Sequence, residues 1–142
     1  MNNSIVSSGK LVWKDEYSVN VKELDDQHKN LIEIINNLIE VINAATKEET
    51  IVNIITKIVK YKAVHFATEE KYFHQFNYEG TVEHETAHQL FNKKVQEIQA
   101  KNKGNVVAFA YTLVDYLEDW LLDHLVTMDQ KYKECFHDHG LR

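Results

Sequence analysis

The chain has 142 residues, a length typical of one domain with a single hydrophobic core. Apolar residues make up 44% of it and charged residues 27%, as in ordinary globular proteins. The formal net charge of −6 argues against nucleic acid or an anionic membrane as a partner, because both bind basic surfaces. Cys135 is the only cysteine, and no apolar run is long enough for a signal peptide or a membrane span. We therefore expect a cytoplasmic protein.

Long stretches without helix breakers predict an all-α fold, since the chain has no proline and only four glycines. Asn20 with Glu23, and Thr46 with Glu49, have the spacing of capping boxes and predict two helix starts. The predicted order is an N-terminal arm over residues 1–19 that packs on the bundle, helices over 20–44, 47–77, 81–102 and 105–132, and a loosely packed C-terminal tail over 133–142. Short loops between long helices favour antiparallel neighbours, which predicts an up-down-up-down four-helix bundle.

The inward faces of these helices contain polar residues where a bundle core normally has leucine. Seven side chains stand at such positions, and the antiparallel order brings all of them into one half of the bundle interior: His28, His65, Glu69, His84, His88, His124 and Asp129. Burying so many ionisable groups without a compensating cation is costly. The pattern therefore predicts a metal site.

The number of ligands favours two metal ions over one, since a single tetrahedral zinc needs only four. If both carboxylates and a solvent-derived oxygen bridge two metals, the five histidines divide into three and two. One metal is then six-coordinate, and the other is five-coordinate with a position open to a small ligand. Imidazole and carboxylate suit iron, but also zinc, copper or nickel, so the count leaves the metal undecided.

The segment "HLVTMD", residues 124–129, breaks the regular spacing of the other helices. On a regular α-helix, side chains five residues apart point about 140° away from each other. His124 and Asp129 can contribute to one site more easily if the turn between them is loosened. We therefore expect a local irregularity here, of the kind found in π-type turns at functional sites.

The motifs "HFATEE", "HETAH" and "HLVTMD", after "WKDEYSVNVKELDDQHKNL", resemble those of the hemerythrins, and in particular of the bacterial single-domain members. The resemblance implies a non-haem di-iron centre, with two iron ions bridged by oxo or hydroxo, that binds dioxygen reversibly. It implies that His84, His88 and His124 hold the six-coordinate iron, that His28 and His65 hold the five-coordinate iron, and that Glu69 and Asp129 bridge them. It also implies an oxygen pocket lined by Phe66, Trp120, Leu121, Leu125 and Tyr132.

Five histidines with two carboxylates favour reversible binding over catalysis, because di-iron oxidases in helical bundles typically use four carboxylates and two histidines. We expect a carrier or store of dioxygen that is not an enzyme and that could supply an unidentified oxygen-consuming enzyme. The alternatives are a sensor of oxygen, nitric oxide or iron acting through a separate partner, and a di-iron oxidase or peroxide-consuming enzyme. His74 is expected on the surface, and His137 and His139 in the loose tail.

Overall fold

The computed structural model describes residues 10–44 and 46–142, in which four long helices pack into an antiparallel bundle and no strand occurs. The helices are α1 (Lys22–Asn43), α2 (Glu48–Gln75), α3 (Thr81–Lys101), α4 (Val106–Val126), α5 (Met128–Lys131) and α6 (Lys133–Asp138). The predicted all-α four-helix bundle is thereby confirmed. No helix in the described ranges combines the length and the apolar character needed to cross a bilayer.

The capping boxes predicted at the first two helix starts are wrong. Neither helix has a side-chain hydrogen bond at its N-cap, which is Val21 in α1 and Lys47 in α2. Instead, the carboxylate of Asp25 reaches back from the first turn of α1 and accepts hydrogen bonds from the Val19 backbone N–H at 2.9 Å and from the Ser18 hydroxyl at 2.6 Å. The arm is therefore fastened to α1 by a residue inside the helix.

The last predicted helix is interrupted at Thr127, which separates α4 from α5 with backbone angles φ −114° and ψ −76°. The Thr127 hydroxyl donates to the Asp123 carbonyl at 2.7 Å, and the Leu125 carbonyl accepts from the Gln130 side chain at 3.0 Å. The Asp123 carbonyl also keeps its helical bond from the Thr127 N–H at 3.0 Å, whereas the Leu125 carbonyl accepts from a side chain at the break. The expected irregularity between His124 and Asp129 is confirmed, but as a break in the helix and without a π turn.

The C-terminal segment is not the loosely packed tail that the sequence led us to expect. Residues Lys133–Asp138 form α6, and its Phe136 side chain is fully buried. The Phe136 ring stacks on Tyr132 with 4.4 Å between centroids and also contacts Phe73. Tyr132 and Phe136 are four residues apart and share one helical face, which packs this segment against the end of the bundle.

Two apolar clusters fill the interior, one along most of the bundle and a smaller one at the end where α2 finishes. The smaller cluster consists of Val19, Val21, Leu24, Phe73, Tyr132 and Phe136. Its Phe73 ring contacts His84, whereas Phe66 and Trp120 of the larger cluster contact His88 and His124. The buried polar side chains therefore lie between two apolar layers.

The described part of the segment before α1 packs on the bundle. Leu11 forms two hydrogen bonds with the Asn36 side chain of α1, of 2.7 and 2.9 Å. Trp13 meets Tyr17 edge to face, and Tyr17 is buried in a short 3₁₀ helix (Asp15–Tyr17). Residues 1–9, which the predicted arm also includes, lie outside the described residues.

The packing of α6 predicts that Phe136→Ala lowers the free energy of unfolding by about 3–5 kcal/mol, because the truncation leaves a cavity beside Phe73 and Tyr132. Urea unfolding followed by circular dichroism measures the change. Glu134→Ala, two residues earlier in the same helix and exposed, is the matched control and should change stability by no more than about 0.5 kcal/mol. Equal stability of the two variants would contradict the packing described above.

Candidate metal centre

The structure brings the seven predicted side chains together at the bundle centre. Helices α1 to α5 each contribute at least one, and all seven side chains are almost completely shielded from solvent: His28 from α1, His65 and Glu69 from α2, His84 and His88 from α3, His124 from α4, and Asp129 from α5. Two groups of ligand atoms lie close enough together to hold a metal ion, and both include Glu69. One group adds His84, His88 and His124, and the other adds His28, His65 and Asp129.

Glu69 lies between the two groups. Its Oε1 atom is 3.2 Å from Nε2 of His88 in the first group and 3.4 Å from Nε2 of His65 in the second. His65 and Glu69 are four residues apart, as are His84 and His88, and this spacing places each pair on one face of its helix. One turn of α2 therefore supplies both an imidazole and a shared carboxylate.

Asp129 of α5 also lies close to histidines of both groups. Its Oδ1 atom lies 3.1 Å from Nε2 of His124 and 3.2 Å from Nε2 of His84, while Oδ2 lies 3.2 Å from Nε2 of His28. The break at Thr127 lets this carboxylate face the interior although it follows His124 by five residues. Each carboxylate is thus placed to bridge two metal ions.

Gln27 fixes the orientation of the His65 ring. Its Oε1 atom lies 2.7 Å from Nδ1 of His65, and its amide nitrogen donates to the Thr68 hydroxyl at 3.2 Å. Because Thr68 itself donates to the Val64 carbonyl, it can only accept from the Gln27 amide, which leaves the Gln27 oxygen for His65. Nδ1 of His65 then carries the proton, and Nε2 faces the site as a lone pair.

Glu70 fixes the orientation of the His88 ring, because its carboxylate oxygen Oε2 accepts from Nδ1 of His88 at 2.8 Å. The Phe66 ring stacks on His88, with 3.7 Å between centroids and 6° between planes. Sequence reasoning identified neither Gln27 nor Glu70 as part of the site. For Glu70 a signal was present, because it follows Phe66 by four residues and therefore shares its helical face.

The donor set fits a metal cation. Nε2 of His65 presents a lone pair to the carboxylate oxygen Oε1 of Glu69, and two lone pairs at such a distance repel unless a cation lies between them. Four buried atoms that point into the site have no hydrogen-bond partner among the described residues: Glu69 Oε1, His88 Nε2, Asp129 Oδ1 and Asp129 Oδ2.

The distances between histidine nitrogens agree with this reading. Nε2 of His28 is 2.8 Å from Nε2 of His65, and Nε2 of His84 is 3.0 Å from Nε2 of His124. Neighbouring ligands at right angles around one metal, each about 2.1 Å from it, lie about 3 Å apart. Each pair is therefore spaced like two ligands of a single ion.

The surroundings act differently on two histidines of the site. Burial disfavours the charged form of His124, but the Asp129 carboxylate outweighs this effect and raises the pKa of His124. Burial lowers the pKa of His65 to about 4, against the opposing attraction of Glu69, so that its ring is neutral near pH 7. Burial disfavours the charged form of Asp129, but His124 and the other surrounding imidazoles outweigh this effect and hold its pKa well below the usual value. Neutral imidazole and ionised carboxylate are the forms that bind metals.

Three of the five residues expected around an oxygen pocket contact side chains of this centre, and the other two are buried in the larger apolar cluster. Trp120 stacks on His124 with 4.2 Å between centroids, and Phe66 stacks on His88. Leu121 and Leu125 are buried in the larger apolar cluster on the same side. Tyr132 lies on the other side, where its hydroxyl donates to Oε2 of Glu69 at 2.8 Å.

The remaining histidines lie outside the centre. His74 is exposed, as predicted, and its ring nitrogen is 2.6 Å from Glu85 on α3. His139 stacks on Phe76, and His137 lies 3.0 Å from the Asn20 carbonyl. Neither belongs to a metal-ligating group in the described part of the chain.

Fold and centre together define a helical-bundle protein with a buried histidine–carboxylate site for two metal ions. Residues 19–136 match the family model described as the hemerythrin HHE cation-binding domain, and the chain belongs to the hemerythrin family. It is 28% identical to a bacteriohemerythrin of Clostridium acetobutylicum over 125 residues, covering 85% of this chain and 97% of that protein. It is 30% identical to a bacteriohemerythrin of Pseudomonas aeruginosa over 126 residues (88% and 80%). It is also 30% identical to a myohemerythrin of Sipunculus nudus over 122 residues (86% and 90%).

Because the carboxylates face lone pairs in the protein interior, a divalent metal such as Co²⁺ is expected to stabilise the fold. At a free metal concentration about 1,000 times Kd, the gain is about 4 kcal/mol and appears as a rise in Tm. Asp129→Ala should lose most of this rise, because it removes oxygens that face both groups. His74→Ala is the matched control and should retain the full rise. An equal rise in Asp129→Ala and in the parent chain would exclude Asp129 as a ligand.

Proposed function

We propose that this protein binds dioxygen reversibly at two iron ions. In this proposal His84, His88 and His124 hold one iron, His28 and His65 hold the other, and Glu69 and Asp129 bridge them. The observation that supports it most strongly is the unequal division of five buried histidines around two shared carboxylates. Two ferrous ions would together supply two electrons and one open coordination position, which is what reversible dioxygen binding requires.

The ligand chemistry favours binding over oxidation of a substrate. Catalytic di-iron bundles use mostly carboxylates, whose negative charge stabilises high oxidation states of iron. This centre has two carboxylates and five imidazoles, and burial lowers the pKa of one of these imidazoles, His65, to about 4, so that it is neutral near pH 7. We therefore infer a carrier or store of dioxygen that is not an enzyme.

Apolar walls support reversibility, because water and protons promote the irreversible oxidation of ferrous iron. The rings of Phe66 and Trp120 cover His88 and His124, and Leu121 and Leu125 are buried beside them. In the proposal these four side chains line the oxygen pocket and exclude water from it. The fifth predicted pocket residue, Tyr132, acts differently.

Tyr132 holds Glu69 in place from the side opposite these walls. Burial, together with the charges of Glu69 and Asp129, raises the pKa of Tyr132 well above its usual value. Its hydroxyl therefore keeps its proton and continues to donate to Oε2 of Glu69. We infer that Tyr132 keeps the Glu69 carboxylate oriented as a bridge and brings no mobile proton to the pocket.

The cellular part of the proposal is a role in the cytoplasm, where the protein would buffer dioxygen or deliver it to an oxygen-consuming enzyme. This part rests on the acidic composition and single cysteine of the chain and on the family to which it belongs.

The function is tested by loading the protein with ferrous iron under argon, then admitting and removing oxygen while the visible spectrum is recorded. We expect a charge-transfer absorption that appears with oxygen, disappears under argon and returns over several cycles. The same chain carrying His124→Ala is the control and should give no such band. A single one-way conversion to the ferric spectrum would contradict a carrier function and favour an oxidase or a sensor.

Enlarging the pocket at Leu121 should leave both iron ions in place but speed irreversible oxidation. Leu121→Ala opens space for water beside His124, and we expect oxidation several-fold faster than in the parent chain at equal iron content. The rate is measured as loss of the oxygen-dependent absorption with time. Leu113→Ala, a buried leucine two turns further from the site, is the matched control. The pocket assignment of Leu121 is wrong if both variants oxidise at the same rate.

A further inference from the structure

The outer nitrogens of two histidines in the centre meet very different partners. Nδ1 of His88 faces the carboxylate of Glu70 at 2.8 Å, whereas Nδ1 of His65 faces the neutral amide of Gln27 at 2.7 Å. Nδ1 of His28 and of His84 is buried and has no hydrogen-bond partner within the described residues. Among these four rings, a negative charge lies directly behind His88 alone.

One turn of α2 holds His88 from two directions. Phe66 and Glu70 are four residues apart and therefore lie on one face of α2, next to the face that carries His65 and Glu69. The ring of Phe66 covers one face of His88, and the carboxylate of Glu70 fixes its outer edge. Nε2 is then left pointing at Glu69, 3.2 Å away. The motif "HFATEE" thus supplies ligands to the site and also the support for a ligand on another helix.

We propose that Glu70 is a positioning residue that makes the metal position of His84, His88 and His124 the tighter of the two. The proposal rests on the metal assignment given under the proposed function. A carboxylate that accepts from the outer N–H of a ligating imidazole fixes its tautomer and makes the inner nitrogen a stronger donor. An amide fixes the tautomer but adds no charge. Glu70 therefore strengthens one position more than Gln27 strengthens the other.

Two consequences follow for the order of metal binding. The three-histidine position fills first because it has more imidazole ligands and because one of them has the anionic partner. The position of His28 and His65 fills second, since its only oriented histidine depends on a neutral amide. Removing the charge of Glu70 weakens metal binding at the three-histidine position and so reduces the difference in affinity between the two positions. Placing a charge at Gln27 reduces the same difference by strengthening the position of His28 and His65.

Stepwise titration of the metal-free full chain with Co²⁺, followed by calorimetry and by the visible cobalt spectrum, tests the proposal without oxygen. Glu70→Ala removes both orientation and charge, and we expect the tighter step to weaken by about 10- to 100-fold. Glu70→Gln keeps an acceptor oxygen but removes the charge, and should weaken the same step by less. Gln27→Glu should tighten the weaker step and leave the tighter one unchanged.

Glu85→Gln is the matched control, because Glu85 lines the same surface hollow as Glu70 and His88 but pairs outward with His74. It removes an equal charge without touching a ligand and should leave both steps unchanged. The proposal is overturned if the Glu70 variants bind Co²⁺ like Glu85→Gln, or if their loss falls on the weaker step. Failure of the parent chain to bind two Co²⁺ ions would instead contradict the metal assignment under the proposed function.

Discussion

The structure depends on one electrostatic constraint, which is that lone-pair atoms face one another in the protein interior. Oxygens of Glu69 and Asp129 lie 3.1–3.4 Å from imidazole nitrogens, and Nε2 of His65 cannot donate because the proton of this ring lies on Nδ1 and is donated to Gln27. Water does not reach these atoms, so a cation must balance them. Two divalent metal ions held by these side chains would do so, and the surrounding side chains keep the ligands in place.

Several irregular features of the fold are explained by that constraint. The break at Thr127 turns Asp129 inward, and the side chain of Gln130 satisfies the Leu125 carbonyl at the break. Just beyond it, Tyr132 anchors Glu69, and Phe136 closes the end of the bundle over Tyr132. The C-terminal helix therefore stabilises the centre from outside, although it contributes no ligand.

The sequence was sufficient to predict the bundle and the convergence of the seven side chains, because both follow from helical periodicity and from the antiparallel order of the helices. It was misleading at Thr46 and Asn20, where a capping-box spacing occurs without the hydrogen bonds. At the start of α1, Asp25 inside the helix binds Ser18 and Val19 instead, which the capping-box spacing does not predict. Phe136 was missed because its burial depends on Phe73, more than sixty residues earlier. Gln27 and Glu70 were missed because they act on histidines of other helices, a relation that spacing within one helix does not contain.

The central claim is that these seven side chains hold two metal ions in one shared site. X-ray absorption spectroscopy of the ferrous-loaded protein, combined with iron analysis, tests it most directly. The account predicts two iron ions per chain, mostly nitrogen and oxygen ligands with several imidazoles, and a second iron within about 4 Å of the first. One iron ion per chain, or two without iron–iron scattering, would contradict the shared site and would leave Glu69 and Asp129 without their role as bridges.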